Sequence, residues 1–291
     1  MAAQLLPILN DPSKPSRLRA LALSLLSNDD LPAKKLIALT QDNSSVISLE
    51  AVRSLAGSNT PEALKAFTAI AGDSSRNSVI RAEAIVGLAS NPKTEETLLK
   101  QLSQDKDPII AEEAQRALVG GGLQTRKLEP KPPATDLAQW ESLLNQVPSS
   151  PNLDTGRRIF FHPRLATCAT CHQMDGRGVR VGPELTTIHR QAGIDTSWLL
   201  THILNPAETI APHYQPWQIF TKDGNAKMGF VLRKGGSAEA YLGIDGTEFS
   251  VPKTEILRTQ ELTITLMPPG LLDPLKTSEI RDLLAYLLRS K

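Results

Sequence analysis

Cysteine is scarce in this chain: there are two in 291 residues, both inside Cys168-Ala-Thr-Cys171-His172. With no thiol outside that motif, a disulfide framework is excluded. Excess charge is lacking too. Thirty-two Lys and Arg against 31 Asp and Glu leave a net charge of +1, so bulk electrostatics favours neither nucleic acid nor an anionic membrane as a partner. No apolar run approaches the roughly 18 residues that a membrane span needs, so no membrane span is expected. The N-terminus does not read as a secretory leader. Arg17 and Arg19 precede an apolar stretch, but Asp11 lies upstream, Asp29 and Asp30 follow at once, and no small-residue cleavage site comes after. What is present, 40% hydrophobic and 22% charged residues, suits an ordinary globular protein with length for two domains.

Residues 1–120 repeat. Val46-Ile-Ser-Leu-Glu-Ala-Val-Arg-Ser-Leu55 aligns with Val79-Ile-Arg-Ala-Glu-Ala-Ile-Val-Gly-Leu88 and with Ile109-Ile-Ala-Glu-Glu-Ala-Gln-Arg-Ala-Leu118, and more weakly with Arg17–Leu26. Each copy follows a polar turn containing an Asp (Asp11, Asp42, Asp73, Asp107), which suits a helix start. A second helical stretch lies between copies. Two helices per roughly 30 residues cannot bury their apolar faces alone and are expected to stack. The central Glu-Ala pair resembles that of short HEAT-like repeats, which implies an α-solenoid.

The repeats stop at Gly120-Gly121-Gly122, and residues 121–152 read as a Pro-rich linker with one short helix carrying Trp140, Leu143 and Leu144. A second domain is expected over 153–291. It opens with a helix over Asp154–Phe161, has another near Ser197–Leu204, and closes with one from Thr277 or Ser278 to Leu288. Short alternating runs with Asp223-Gly224, Gly235-Gly236 and Asp245-Gly246 between them predict a small antiparallel sheet inserted at about 213–256.

The cysteine motif carries the chemistry. A c-type haem is fixed by adding two thiols across its vinyl groups. Two intervening residues set the sulfurs at the vinyl spacing, and a histidine directly after the second cysteine faces the iron. Cys168, Cys171 and His172 therefore predict one covalently bound haem c. A structural zinc site needs four protein ligands, and no second cysteine pair exists. A thioredoxin-like pair needs an alternating β/α setting, which is missing. His172 is the expected proximal metal ligand. Its other ring nitrogen needs an acceptor, and the Gly182-Pro183 turn offers the Pro183 carbonyl.

The second axial ligand must come from elsewhere. Met174 is too near His172 to reach the opposite haem face, and Met228 sits in an alternating strand, where packing explains it. Met267, in Leu266-Met-Pro-Pro-Gly270, is held by a stiff turn. It lies 95 residues after His172, and 51 when the 44 residues of 213–256 are set aside. It is the first choice, with His189, His202 and His213 as the other candidates. His162 and His202 have ordinary surface or packing explanations.

Gly156-Arg-Arg-Ile-Phe160, the Cys168–His172 motif, Gly182-Pro183-x-Leu185, Met267-Pro268 and Leu283-Leu-Ala-Tyr-Leu287 follow one another as in a class I cytochrome c, which the chain resembles. That resemblance implies a close crossing of the first and last helices, with Gly156 and Phe160 against Leu283, Tyr286 and Leu287. Asn205-Pro206, Thr221-x-Asp223-Gly224 and Leu266-Met-Pro-Pro-Gly-Leu-Leu272 narrow it. They are similar to the C-terminal haem-binding domain of large secreted dehydrogenase-like proteins of Planctomycetes and Verrucomicrobia. The expected fold class is thus mainly α: a HEAT-like solenoid, then a cytochrome c helical fold with a small antiparallel insertion. The resemblance implies an electron-transfer module rather than an enzyme in itself, with a dehydrogenase as donor and a respiratory acceptor as redox partners. It also implies a periplasmic or extracytoplasmic location, and the chain is read as a fragment or shortened product. Two other functions fit the residues: an open-site haem peroxidase or gas sensor, and a protein-binding scaffold built on the repeats.

Overall fold

The computed structural model describes residues 2–27, 30–58 and 60–289. Contacts divide the chain into two compact units. One takes in the chain up to Leu128 together with Arg157–Thr167 and Asp175–Arg177; the other takes in Glu129–Gly156, Cys168–Met174 and the chain from Gly178 on.

The first unit holds α1 (Ala2–Asn10), α2 (Ser16–Ser24), α3 (Ala33–Leu39), α4 (Ser45–Leu55), α5 (Pro61–Gly72), α6 (Ser78–Leu88), α7 (Glu96–Leu102) and α8 (Pro108–Gly120). Their starts are written in the local sequence. The Thr60 hydroxyl accepts from the Ala63 amide at 3.2 Å, and Asp107 accepts from Ile109 at 2.9 Å. Pro61 and Pro108 stand in the first turns, where no amide donor is missed. Helices α2, α4, α6 and α8 pack in succession, and α3, α5 and α7 likewise. Small buried residues (Ala51, Ala82, Ala84, Ala114, Ala117) let them approach. At Gly87 the approach is close enough that a Cβ there would lie 2.6 Å from the Phe67 ring.

The regular solenoid expected for residues 1–120 is not what the structure carries. A solenoid stacks near-equal units that touch only their neighbours. These helices run from 7 to 13 residues, and the unit draws in Arg157–Thr167 and Asp175–Arg177, far along the chain. The chain is a helical protein with small antiparallel sheets.

The second unit contains α9 (Leu137–Asn145), the start of α10 (Leu153–Phe160), the two-residue strand β1 (Gln173–Met174), Gly178 of the two-residue strand β2 (Arg177–Gly178), α11 (Thr196–Leu204) and α12 (Thr277–Leu287). Helices α9, α11 and α12 pack together. Residues 129–152, read as linker, are tied down within this unit. Trp140 is buried with its indole N–H donating to the Pro133 carbonyl at 3.1 Å, and Lys131 donates to the Asp273 carbonyl at 3.0 Å. Gly156 meets α12 so closely that a Cβ would sit 2.0 Å from the Asp282 carbonyl oxygen and 2.7 Å from the Tyr286 Cβ.

The inserted sheet comprises β3 (Pro216–Thr221), β4 (Ala226–Arg233), β5 (Ala238–Gly243), β6 (Glu248–Pro252) and β7 (Ile256–Glu261), in the order β6-β5-β4-β3-β7, all antiparallel. Ile219, Tyr241 and Val251 form its core, with Trp217, Val231, Phe249 and Ile256 packed around them. Strand β7 extends the sheet past the expected limit at 256. Only Ile256 of that strand joins the core, and Leu257 is 66% exposed, so no apolar alternation announces it.

Candidate functional site

The Cys168–His172 segment folds as a single tight turn. The amides of Cys171 and His172 both donate to the Cys168 carbonyl, at 3.2 and 2.9 Å. Both cysteines are partly buried. Burial pushes the Cys168 thiol up to about 12. The next stretch then closes over the motif. Val179 donates to the Ala169 carbonyl at 3.1 Å, Val181 and Gly182 donate to that of Cys171 at 3.0 and 2.7 Å, and Leu185 donates to that of Gln173 at 2.8 Å.

The His172 ring is fixed by this closure. Its Nδ1 lies 2.8 Å from the Pro183 carbonyl oxygen. A carbonyl only accepts, so Nδ1 carries the hydrogen and the Nε2 lone pair is left for a ligand. Burial lowers the imidazole from its ordinary range, outweighing the raising effect of the Pro183 carbonyl, which favours the neutral ring that a metal ligand must be.

Two glycines make this possible, and only one stood out in the sequence. A Cβ on Gly182 would lie 2.6 Å from His172 Cε1; on Gly178, at φ +99°, it would lie 2.2 Å from the His172 carbonyl oxygen. Only glycine allows both the backbone angle and the approach at Gly178. The sheet contributes as well. Gly246, in the turn between β5 and β6, comes close enough to this loop that a Cβ would sit 2.6 Å from Val179 Cγ1.

The other candidates are placed differently. Met267 is half-buried in a bend, its amide donating to the Thr265 hydroxyl at 3.1 Å, and no hydrogen bond joins it to His172. Met174 is fully buried, with its sulfur 3.5 Å from an Arg289 nitrogen. Met228 pairs with Gln218 inside the sheet. His202 stacks on Trp198 with ring centres 3.7 Å apart, and His213 is exposed. His162, expected near the surface, is only 1% exposed. Its Nδ1 accepts from the amides of Arg164 and Leu165 at 3.1 and 2.9 Å, so its ring is engaged in folding the loop it sits in.

The residues fit a covalently attached haem. Two thiols stand one turn apart, the histidine is held in one tautomer with Nε2 free, and the backbone is cradled so that a methyl group would fill it. Among the described residues no three His, Cys, Asp or Glu side chains gather as a cation site, so the donors that a tetrahedral zinc ion needs are not assembled.

No protein-family model and no curated protein matches the chain.

Proposed function

We propose that this protein is an electron-transfer module carrying one haem c, with the helical arrangement of a class I cytochrome c around it. The observation that carries the proposal is the 2.8 Å bond between His172 Nδ1 and the Pro183 carbonyl inside a C-x-x-C-H turn, which reserves Nε2 for the iron. Each thiol, of Cys168 and of Cys171, would add across one vinyl group, sulfur bonding one carbon and the hydrogen passing to the other. His172 and Met267 would hold the iron. When bound, the haem supplies one-electron chemistry. The chain's own part is to fix the ring, hold the attachment turn and exclude water through the loop 178–185. Were both residues to bind, the haem would serve outer-sphere electron transfer, and a dehydrogenase donor and a respiratory acceptor are the expected partners. Haem is attached outside the cytoplasm, which makes the location extracytoplasmic. No helix among the described residues is long and apolar enough to cross a membrane.

Expression in a host able to attach haem c should give a protein that keeps its haem through denaturation and shows a c-type spectrum when reduced. A colourless product, or haem lost on denaturation, would sink the proposal. The parent should show sulfur-to-iron charge-transfer absorption toward the red, and Met267→Ala should lose it; survival of that band would remove Met267 as ligand. Ready carbon monoxide binding by the reduced parent would turn the reading to an open-site haem protein.

A further inference from the structure

The repeated helices carry a glutamate that meets arginines from outside the repeats as well as from within them. Glu50, Glu83 and Glu113 occupy the same place in three aligned copies, on α4, α6 and α8. They are 13%, 3% and 1% exposed at the side chain. Each meets an arginine from far along the chain. Arg157 Nη1 lies 2.7 Å from Glu83, Arg158 Nε lies 2.6 Å from Glu113, and Arg177 bonds both the Glu50 carboxylate and, at 2.8 Å, the Ser54 hydroxyl. Arg53 adds a 3.0 Å contact to Glu83 and Arg116 a 2.7 Å contact to Glu113. In the weaker first copy the equivalent residue is Leu21, 55% exposed. The glutamate is therefore not a requirement of the repeat; it occurs where an incoming arginine meets it.

Those three arginines share a second property. Arg157 and Arg158 lie just before Cys168-x-x-Cys171-His172, and Arg177 lies just after it. Between them Arg164 donates to the carbonyls of Ala89 and Ser90 at 3.2 and 3.1 Å. Ala166 and Thr167 then enter Cys168 with φ of 57° and 49°, left-handed backbone that neither residue adopts without being held. Apolar residues of similar volume would hold helices together at least as well as buried ion pairs. What a paired guanidinium adds is direction and register.

We infer that Glu50, Glu83 and Glu113 are positioning residues for the haem-attachment segment: the helical unit fixes the chain on both sides of the motif through Arg177, Arg157 and Arg158. The inference rests on the haem reading above and extends it to the helices. With both flanks anchored, the thiols and His172 need little further ordering when the haem is attached.

The test uses the full chain with and without haem. In the haem-free chain, Glu83→Gln and Glu113→Gln should raise amide exchange over residues 162–172 about tenfold, leaving the sheet at 216–261 unchanged. In the haem-loaded protein the same variants should weaken the sulfur-to-iron band, and Glu113→Asp should restore part of it. A purely structural loss would not be rescued in the spectrum by the shorter carboxylate. Arg177→Gln, whose parent side chain is 18% exposed, serves as the second probe, since it removes no buried carboxylate from the helices. It should raise exchange over residues 173–179 with the helical circular dichroism intact. Unchanged exchange over both segments, in variants that still carry haem, would overturn the inference alone. Raised exchange in a chain whose parent attaches no haem would leave the anchoring in place and overturn the haem reading instead.

Discussion

The two units fix adjacent stretches of the same chain by different means. In the first, Arg157–Thr167 and Asp175–Arg177 are held by guanidinium–carboxylate pairs, several of them buried. In the second, the cysteine turn and His172 are held by main-chain hydrogen bonds and by glycines that admit close approach. The difference decides how each can be broken. A buried ion pair fails when one partner is removed or neutralised, because the other charge is left in a medium that cannot solvate it. A backbone cradle rests on no ion pair and fails when a side chain is forced into it.

The largest effect should come from the charge side. Glu113→Gln leaves Arg116 and Arg158 buried without their carboxylate and is expected to cost roughly 3–5 kcal/mol, read by urea denaturation of the haem-free chain. Acid acts on the same group more gradually. Burial alone would raise Glu113, yet Arg116 and Arg158 outweigh it and hold the carboxyl at about 2 against an ordinary 4.5. Glu83 is lowered in the same way, by Arg157 and Arg53 against its burial. A depressed pKa gives stability that is present above the ordinary value and lost as pH falls toward the folded one. For Glu113 this amounts to about 3 kcal/mol, lost between pH about 4.5 and 2. All three tryptophans, Trp140, Trp198 and Trp217, belong to the second unit. On acidification, helical circular dichroism should therefore fall before tryptophan fluorescence changes. Coincident transitions would erase the contrast.

On the cradle side, Gly182→Ala pushes a methyl against His172 Cε1 and should cost about 1–3 kcal/mol. Spectra of the loaded variant should show disturbed axial ligation, whereas an unperturbed spectrum would mean the ring has more room than it shows. The smallest change is Thr60→Ala, which removes the cap on α5 at about 1 kcal/mol, measured by thermal unfolding. It should leave exchange over residues 162–172 unmoved.

Local signals were legible. The Pro and Asp or Thr at the helix starts, the Asp-Gly turns of the sheet, and the eleven residues from His172 to a Gly-Pro carbonyl are short-range features, and the chain can only close them in a few ways. Strand β7 was not legible, since it has one core residue and no alternation. Nor was Gly178, whose need appears only when the His172 carbonyl is seen against it. Nor were the arginine pairings: Arg157, Arg158 and Arg177 meet partners 74, 45 and 127 residues away. Nothing in local spacing encodes such distances.

By itself the sequence determined most of the elements and the tight turn at Cys168–His172, because capping, turn residues and motif spacing act over a few residues. Only the tertiary structure decided which carboxylate receives which arginine, and that the chain flanking the motif belongs with the repeated helices. Long-range pairing depends on where packing brings the elements together. A buried charge then takes whatever opposite charge that packing delivers, since leaving it alone costs too much.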